Sequence, residues 1–366
     1  AIAHNGNLIN TEELRQELEA YGSIFQTTSD TEVILNLMAR HRLDGTEEAL
    51  VRALGMVVGA YSLVVANANQ LIGVRDPHGF RPLILGSHGE GYILASESAA
   101  INAVSGTVIR DIEPGEMVII GENGVRFRRF AKADPSSCVF EYVYFARNDS
   151  TIDGLNVYQA RKELGRLLAI EHPVQADLVI SVPDSGTPAA IGYAAEAGLP
   201  YDEGLVKNRY VGRTFIQPGQ SLRELKVRLK LTPNPEVLLN KRVVIVDDSI
   251  VRGTTTQLLV NMLREAGAKE VHVRVSCPPY VSPCYFGVDT PTQEELIGFS
   301  NSIEEICRII GADSLGYLSL EGMLKATKKA KHNFCVGCFT TEYKLDVSSV
   351  RNKKAAVKQD WGDVRG

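Results

Sequence analysis

No apolar run in the 366-residue chain approaches the ~20 residues that a bilayer crossing needs. Neither the basic n-region nor the apolar h-region of a secretory leader opens it. Charge of one sign is not in large excess: 39 Lys and Arg stand against 44 Asp and Glu, a net charge of -5. Chain-wide attraction to nucleic acid or to an anionic membrane is therefore not expected, and neither is counted as a partner. Cysteine is too sparse, at six residues, for a disulfide scaffold. The seven histidines form no HExxH or other ligand spacing, so none is given a catalytic role. Repeats and low-complexity stretches are also missing. An initiator Met is missing as well, and the first seven residues read as a strand running into a turn, as in a chain cut from something longer. What remains is an ordinary cytoplasmic globular protein, 44% apolar and 23% charged, long enough for two cores.

Two rhythms divide the chain. Residues 1–130 hold β-rich runs at 60–66, 92–96 and 116–120, a Pro114-Gly115 turn, and helical patterns at 11–21 and 30–40. That mixture predicts a layered sandwich. From Val157 onward strand and helix alternate: an amphipathic helix carrying Leu164, Leu167 and Leu168, a strand at 178–182, a helix at 188–197, a strand at 243–246, a helix at 254–266 ended by Gly267, and a strand at 271–276. Alternation with short connections predicts a parallel sheet built from βαβ units. The boundary is expected at 130–145, giving domains at 1–135 and 136–330, with a segment at 331–366 that holds a Cys-x-x-Cys and a polar tail.

The most informative stretch is Val243-Val244-Ile245-Val246-Asp247-Asp248-Ser249-Ile250-Val251-Arg252-Gly253-Thr254-Thr255. A buried strand delivers two carboxylates at its C-terminal end, where open α/β sheets bind ligands. A turn then opens a helix whose free N–H groups, with Thr254 and Thr255, suit a phosphate. Adjacent carboxylates beside a phosphate site suit a sugar diol and a hydrated magnesium ion. A strand end with solvated carboxylates and a Thr cap is the plainer alternative, and the full pattern argues against it. A second strand end, Val182-Pro183-Asp184-Ser185-Gly186-Thr187-Pro188, offers N–H and hydroxyl groups for a pyrophosphate. Between the two lies the basic, Gly- and Pro-punctuated stretch 207–223, containing Lys207 and Arg209. It reads either as a lid over an anionic substrate or as a solvated loop. Cys335-Val336-Gly337-Cys338 has metal-ligand spacing and on spacing alone fits zinc, iron–sulfur or redox chemistry, or a pair of free thiols.

The 182–185 turn, the 207–223 stretch and the 247–255 signature together resemble the glutamine phosphoribosylpyrophosphate amidotransferases, a resemblance that fades only in the last ~25 residues. It implies a type I phosphoribosyltransferase fold, a parallel sheet with helices on both faces. That fold would follow part of an αββα N-terminal-nucleophile glutaminase sandwich. The implied reaction is displacement of pyrophosphate from phosphoribosylpyrophosphate by ammonia, drawn from glutamine, giving 5-phosphoribosylamine for purine synthesis. By the same resemblance Asp247, Asp248, Lys207 and Arg209 are catalytic. Ser185, Gly186, Thr187, Arg252, Gly253, Thr254 and Thr255 bind substrate, and Ser185, Asp247 and Asp248 form the Mg2+ site. Asn5 and Gly6 would line an oxyanion hole, and Asp30 would grip the amino group of glutamine. One branch of the family carries a [4Fe-4S] cluster, and Cys138, Cys284, Cys335 and Cys338 sit at the matching positions. The family's nucleophile is an N-terminal cysteine. Residue 1 here is Ala and the first cysteine is Cys138, so the chain as given is expected not to hydrolyse glutamine. A homo-oligomer and purine nucleotide inhibitors are further implications. The alternative reading is a regulator that binds phosphoribosylpyrophosphate without turning it over.

Overall fold

A computed structural model describes residues 1–208, 210, 225, 227–327 and 334–351. Its first part is built on a five-stranded antiparallel sheet formed by β1 (Ile2–Leu8), β2 (Gly59–Ala66), β3 (Gln70–Arg75), β7 (Glu116–Gly121) and β8 (Gly124–Arg129), adjacent in that order. Helices α1 (Thr11–Ala20), α2 (Asp30–Arg40) and α3 (Thr46–Leu54) cover one face of it. Leu14, Leu18, Ile34, Leu37 and Leu50 recur at helical spacing and close over Leu63, Val65, Ile72 and Val74. Ser29 starts α2 by accepting the Thr31 N–H at 3.2 Å. The other face carries the alternate residues Val64, Val118 and Ile120. They meet Leu83, Leu85 and Leu94 of a second antiparallel sheet, in which β4 (Ile84–His88) lies between β5 (Gly91–Ala95) and β6 (Thr107–Asp111). Helix α4 (Ser98–Ala103) closes the far side, with Ile101 against Gly86 where Leu85 points the other way. The layering is helix, sheet, sheet, helix.

The second part is a parallel sheet of β9 (Leu178–Ser181), β10 (Arg242–Asp247), β11 (Glu270–Val275) and β12 (Ser314–Tyr317), adjacent in that order. The two motif-bearing strands are apolar runs, 178–180 in β9 and 243–246 in β10, as strands buried on both faces require, whereas β11 alternates Val271, Val273 and Val275 with His272 and Arg274. Two groups of helices flank it. Helices α5 (Val157–Glu171) and α6 (Thr187–Ala197) form one, and α7 (Thr254–Glu265) with α8 (Ile303–Ile310) forms the other. Helices α5 and α6 touch backbone to backbone. A Cβ on Gly165 would lie 1.8 Å from the Ala189 carbonyl oxygen, and one on Gly192 would lie 2.0 Å from that of Lys162.

The two parts meet along a tight seam. Asn7 donates to the Tyr285 carbonyl at 2.9 Å, and a Cβ on Gly287 would strike Gly6 Cα at 2.8 Å. Phe80 stacks on Phe286 at 4.4 Å, and Arg75 holds Asp153 through two hydrogen bonds of 2.8 and 3.0 Å. The elements expected from periodicity are present within two residues of their ends. Strands β3, β4, β6, β8 and β12 and helices α3, α4 and α8 are additions to that expectation.

Candidate active site

Parallel pairing of β9 with β10 sets Ser181 beside Val246, so both strands end at the same edge of the sheet. There the chain after β9 places Ser185 against the acidic pair that ends β10. Ser185 Oγ donates to Asp248 Oδ2, Ser249 Oγ donates to Asp248 Oδ1 at 2.7 Å, and the Asp248 N–H donates to Asp247 Oδ1 at 2.9 Å. Asp248 is 5% exposed. Burial and the adjacent Asp248 carboxylate push Asp247 well above the usual carboxylate range. Burial also raises Asp248, partly offset by Ser185, Ser249 and the Arg161 guanidinium. Two desolvated carboxylates with raised proton affinity are a site short of positive charge, which fits a divalent cation.

Two helix starts converge on this edge. Helix α6 begins after Gly186 with Thr187 and Pro188, and no side chain caps its first N–H groups. Helix α7 begins after Gly253, whose φ of +78° brings the chain from the acidic turn into the helix. Thr254 and Thr255 are exposed there, and Arg252 lies 3.5 Å from Glu295. Lys207 stands at the end of a short strand (Leu205–Lys207) and pairs with Asp184. Arg209 lies outside the described residues, as does most of the basic stretch that follows it.

Arg161 was not expected from the sequence. It is 2% exposed, on α5, and its guanidinium donates to the carbonyls of Tyr142 at 2.9 Å and Ala146 at 2.8 Å and to Asn148 Oδ1 at 2.6 Å. Its positive charge favours the ionised form of the Asp248 carboxyl.

The front of the chain forms a second cluster. Asp30 accepts the Leu8 N–H at 3.1 Å, and the His4 ring lies 3.2 Å from its other oxygen. Burial alone would raise Asp30, but the His4 ring, the Leu8 N–H and the Thr31 hydroxyl outweigh it and hold the carboxyl below its ordinary value. Asn5 donates to Ser96 Oγ at 3.3 Å and accepts from Arg81 Nε at 3.3 Å. His4 and Arg81 are further residues that sequence reasoning passed over. No local pattern marks either, because each takes its role from a partner far along the chain.

All six cysteines are free. Cys138 and Cys335 are register partners in a two-stranded parallel ladder, and the Cys338 carbonyl accepts the Val281 and Ser282 N–H groups at 2.9 and 3.1 Å. Cys284 Sγ accepts the Phe286 N–H at 3.3 Å. Burial and the neighbouring thiols raise Cys138 and Cys338, and burial pushes Cys335 up to about 12. The four expected ligands are thus drawn to one region. Even so, no three His, Cys, Asp or Glu side chains among the described residues are arranged around a metal position.

Comparison with known proteins gives matches to both parts. Residues 1–103 match the model of the glutamine amidotransferase domain, and residues 157–293 that of the phosphoribosyl transferase domain. An amidophosphoribosyltransferase of Archaeoglobus fulgidus is 53% identical over 352 residues, covering 95% of this chain and 77% of the relative. The Bacillus subtilis amidophosphoribosyltransferase is 51% identical over 352 residues, covering 95% and 74%. A solved structure of glutamine phosphoribosylpyrophosphate amidotransferase from B. subtilis, complexed with ADP and GMP, superposes with a TM-score of 0.90 at 51% identity, covering 95% of this chain and 77% of that one. A second, described as the allosteric regulatory enzyme of purine biosynthesis, also has a TM-score of 0.90, at 50% identity and with 95% and 76% coverage.

Proposed function

The chain belongs to the amidophosphoribosyltransferases, transferases of purine biosynthesis, and on that premise we propose how its residues divide the reaction. The observation that carries the reading is the Ser185–Asp248–Ser249 hydrogen-bonded group beside Asp247 at the shared end of β9 and β10. Ammonia attacks C1 of phosphoribosylpyrophosphate, a C–N bond forms, the C1–O bond to pyrophosphate breaks with its electrons leaving on the pyrophosphate, and the new ammonium nitrogen releases one proton to solvent to give 5-phosphoribosylamine. Asp247 and Asp248 hold the ribose hydroxyls, and together with Ser185 they would hold a Mg2+ ion, which would neutralise part of the charge on the leaving pyrophosphate. Lys207, Arg209 and the N–H groups of Gly186 and Thr187 hold the pyrophosphate. Arg252, Gly253, Thr254 and Thr255 hold the phosphate of the sugar.

In the same reading residues 1–135 are the glutamine-handling domain, 136–330 the transferase and 331–366 a closing segment. Asn5 and Gly6 line an oxyanion hole and Asp30 receives the glutamine amino group. Cys138, Cys284, Cys335 and Cys338 hold a [4Fe-4S] cluster with a structural role, a reading supported by the family resemblance and by the gathering of the four thiols. Purine nucleotides inhibit, in line with the ADP and GMP in the B. subtilis complex. The protein is cytoplasmic and assembles with copies of itself; no described helix is long and apolar enough to cross a membrane.

The test is magnesium-dependent pyrophosphate release from phosphoribosylpyrophosphate, with ammonium and then glutamine as nitrogen source. Release with ammonium that stops in Asp247→Asn is the expected result. Tight substrate binding with no release from either source would favour a regulator and end the transferase reading of these residues.

A further inference from the structure

We propose that Arg81 is a positioning residue for Asn5, and that the transferase side of the molecule thereby sets the amide geometry on the glutamine side. The inference rests on the reading of Asn5 as an oxyanion-hole donor. A primary amide can face a partner with either its oxygen or its nitrogen, and only its neighbours decide which. A guanidinium has five N–H donors and no acceptor. The Asn5 atom that faces Arg81 Nε at 3.3 Å is therefore Oδ1, and Nδ2 is turned the other way. One of its two hydrogens goes to Ser96 Oγ at 3.3 Å. The second is free to meet an oxyanion.

Arg81 is itself fixed. It is 6% exposed, and its carbonyl accepts from Ser62 Oγ and Arg75 Nε, both at 3.0 Å. Its guanidinium lies 5.0 Å from the Phe145 ring centre, and Nη1 lies 3.1 Å from Glu141 Oε1. That approach is too oblique for a hydrogen bond, so the pair is held by charge alone. The backbone beside it is tied as well, since the Phe80 carbonyl accepts the Cys138 N–H at 3.0 Å. Glu141 and Phe145 belong to the turn that Arg161 pins against α5. The Asn5 amide is thus oriented by a cation whose own anchors lie across the seam. An oxyanion donor acts mainly in the transition state, so misorienting it lowers kcat more than it raises KM.

The experiment measures glutamine hydrolysis in protein supplied with the N-terminal cysteine nucleophile that the family resemblance implies, because the chain beginning at Ala1 is not expected to hydrolyse glutamine. It compares Asn5→Ala, Arg81→Lys and the double variant, with ammonium-dependent pyrophosphate release reporting an intact fold. Asn5→Ala is expected to lower kcat for hydrolysis by about 100-fold. Arg81→Lys, which keeps the charge near Glu141 but removes the donor at Nε, should lower kcat by about 10-fold with little change in KM. In the Asn5→Ala background it should have almost no further effect. Unchanged kcat in Arg81→Lys, or an equal loss with and without Asn5, overturns the positioning role while leaving the oxyanion reading in place. Full hydrolysis in Asn5→Ala overturns that reading and the inference with it. Glu141→Gln gives the same comparison if Arg81→Lys fails to fold: a fall in kcat that vanishes in the Asn5→Ala background supports the role, and no fall overturns it.

Discussion

Asp247 and Asp248 are placed side by side at a strand end where burial disfavours charge on both. Without a cation, ionising the second carboxylate works against the first, and this arrangement costs stability in the empty protein. Asp247→Asn removes one charge and leaves the backbone unaltered. It should raise the thermal midpoint of metal-free protein while lowering ammonium-dependent turnover about 100-fold or more. A variant that loses both stability and activity would mean the pair is structural. Asp177 behaves in the opposite sense. The Arg242 side chain and N–H hold its carboxyl down to about 2, from an ordinary 3.8. Because the unfolded chain then binds the proton more readily, the contribution is complete above pH 4 and is lost as pH falls towards 2. The gap in urea midpoint between the parent and Asp177→Asn should stay constant above pH 5 and shrink on acidification from 4. A gap that does not depend on pH would show that the carboxylate charge is not what Arg242 recognises.

At the scale of elements, α5 and α6 show what a sequence states plainly and what it conceals. Their existence was legible in Leu164, Leu167 and Leu168 and in the Pro188 start, because those are local patterns. Their contact was not, since Gly165 and Gly192 read as weak points within helices until each is seen to face a carbonyl of the other helix. Ala at position 192 would gain about 1 kcal/mol of helix propensity. It would also drive a Cβ to 2.0 Å from the Lys162 oxygen, an overpacking that costs about 1–3 kcal/mol or more. The clash should win, so Gly192→Ala is expected to unfold at lower urea; a higher midpoint would mean that the helices separate freely. The overlooked strands have similar causes. β3 is interrupted by Gly73, whose missing side chain makes room for Leu94, and β8 is largely exposed and carries three arginines. β3 lacks the apolar alternation that marks a strand, and in β8 the alternation runs only over residues 125–128. In the site, Asp247–Thr255 was readable because strand, acids and helix start are contiguous. Arg81, which meets Asn5 across 76 residues, and Arg161, whose charge acts on Asp248, have no local signature.

For the molecule as a whole, the question is what holds residues 334–351 against the rest. Tyr343 donates to Ser282 Oγ at 2.7 Å, Lys344 donates to Asp134 Oδ1 at 2.8 Å, and Val347 joins Ile9, Phe80 and Phe286 in the core at the seam. The Lys344 pair is exposed and worth little, and the apolar patch is small, so protein contacts alone make a modest clamp. Four thiols gathered where this segment meets residues 138 and 284 would close it if they share one cluster, because a bond to metal ties the segment to both parts of the chain at once. Anaerobically prepared protein should then contain about four iron and four sulfide per chain. Cys338→Ser should lose both and expose the segment beyond residue 334 to limited proteolysis, with the 1–130 sandwich remaining resistant. Iron-free protein that resists proteolysis equally well would place the clamp in Tyr343, Lys344 and the seam core, and would leave the four cysteines as buried thiols.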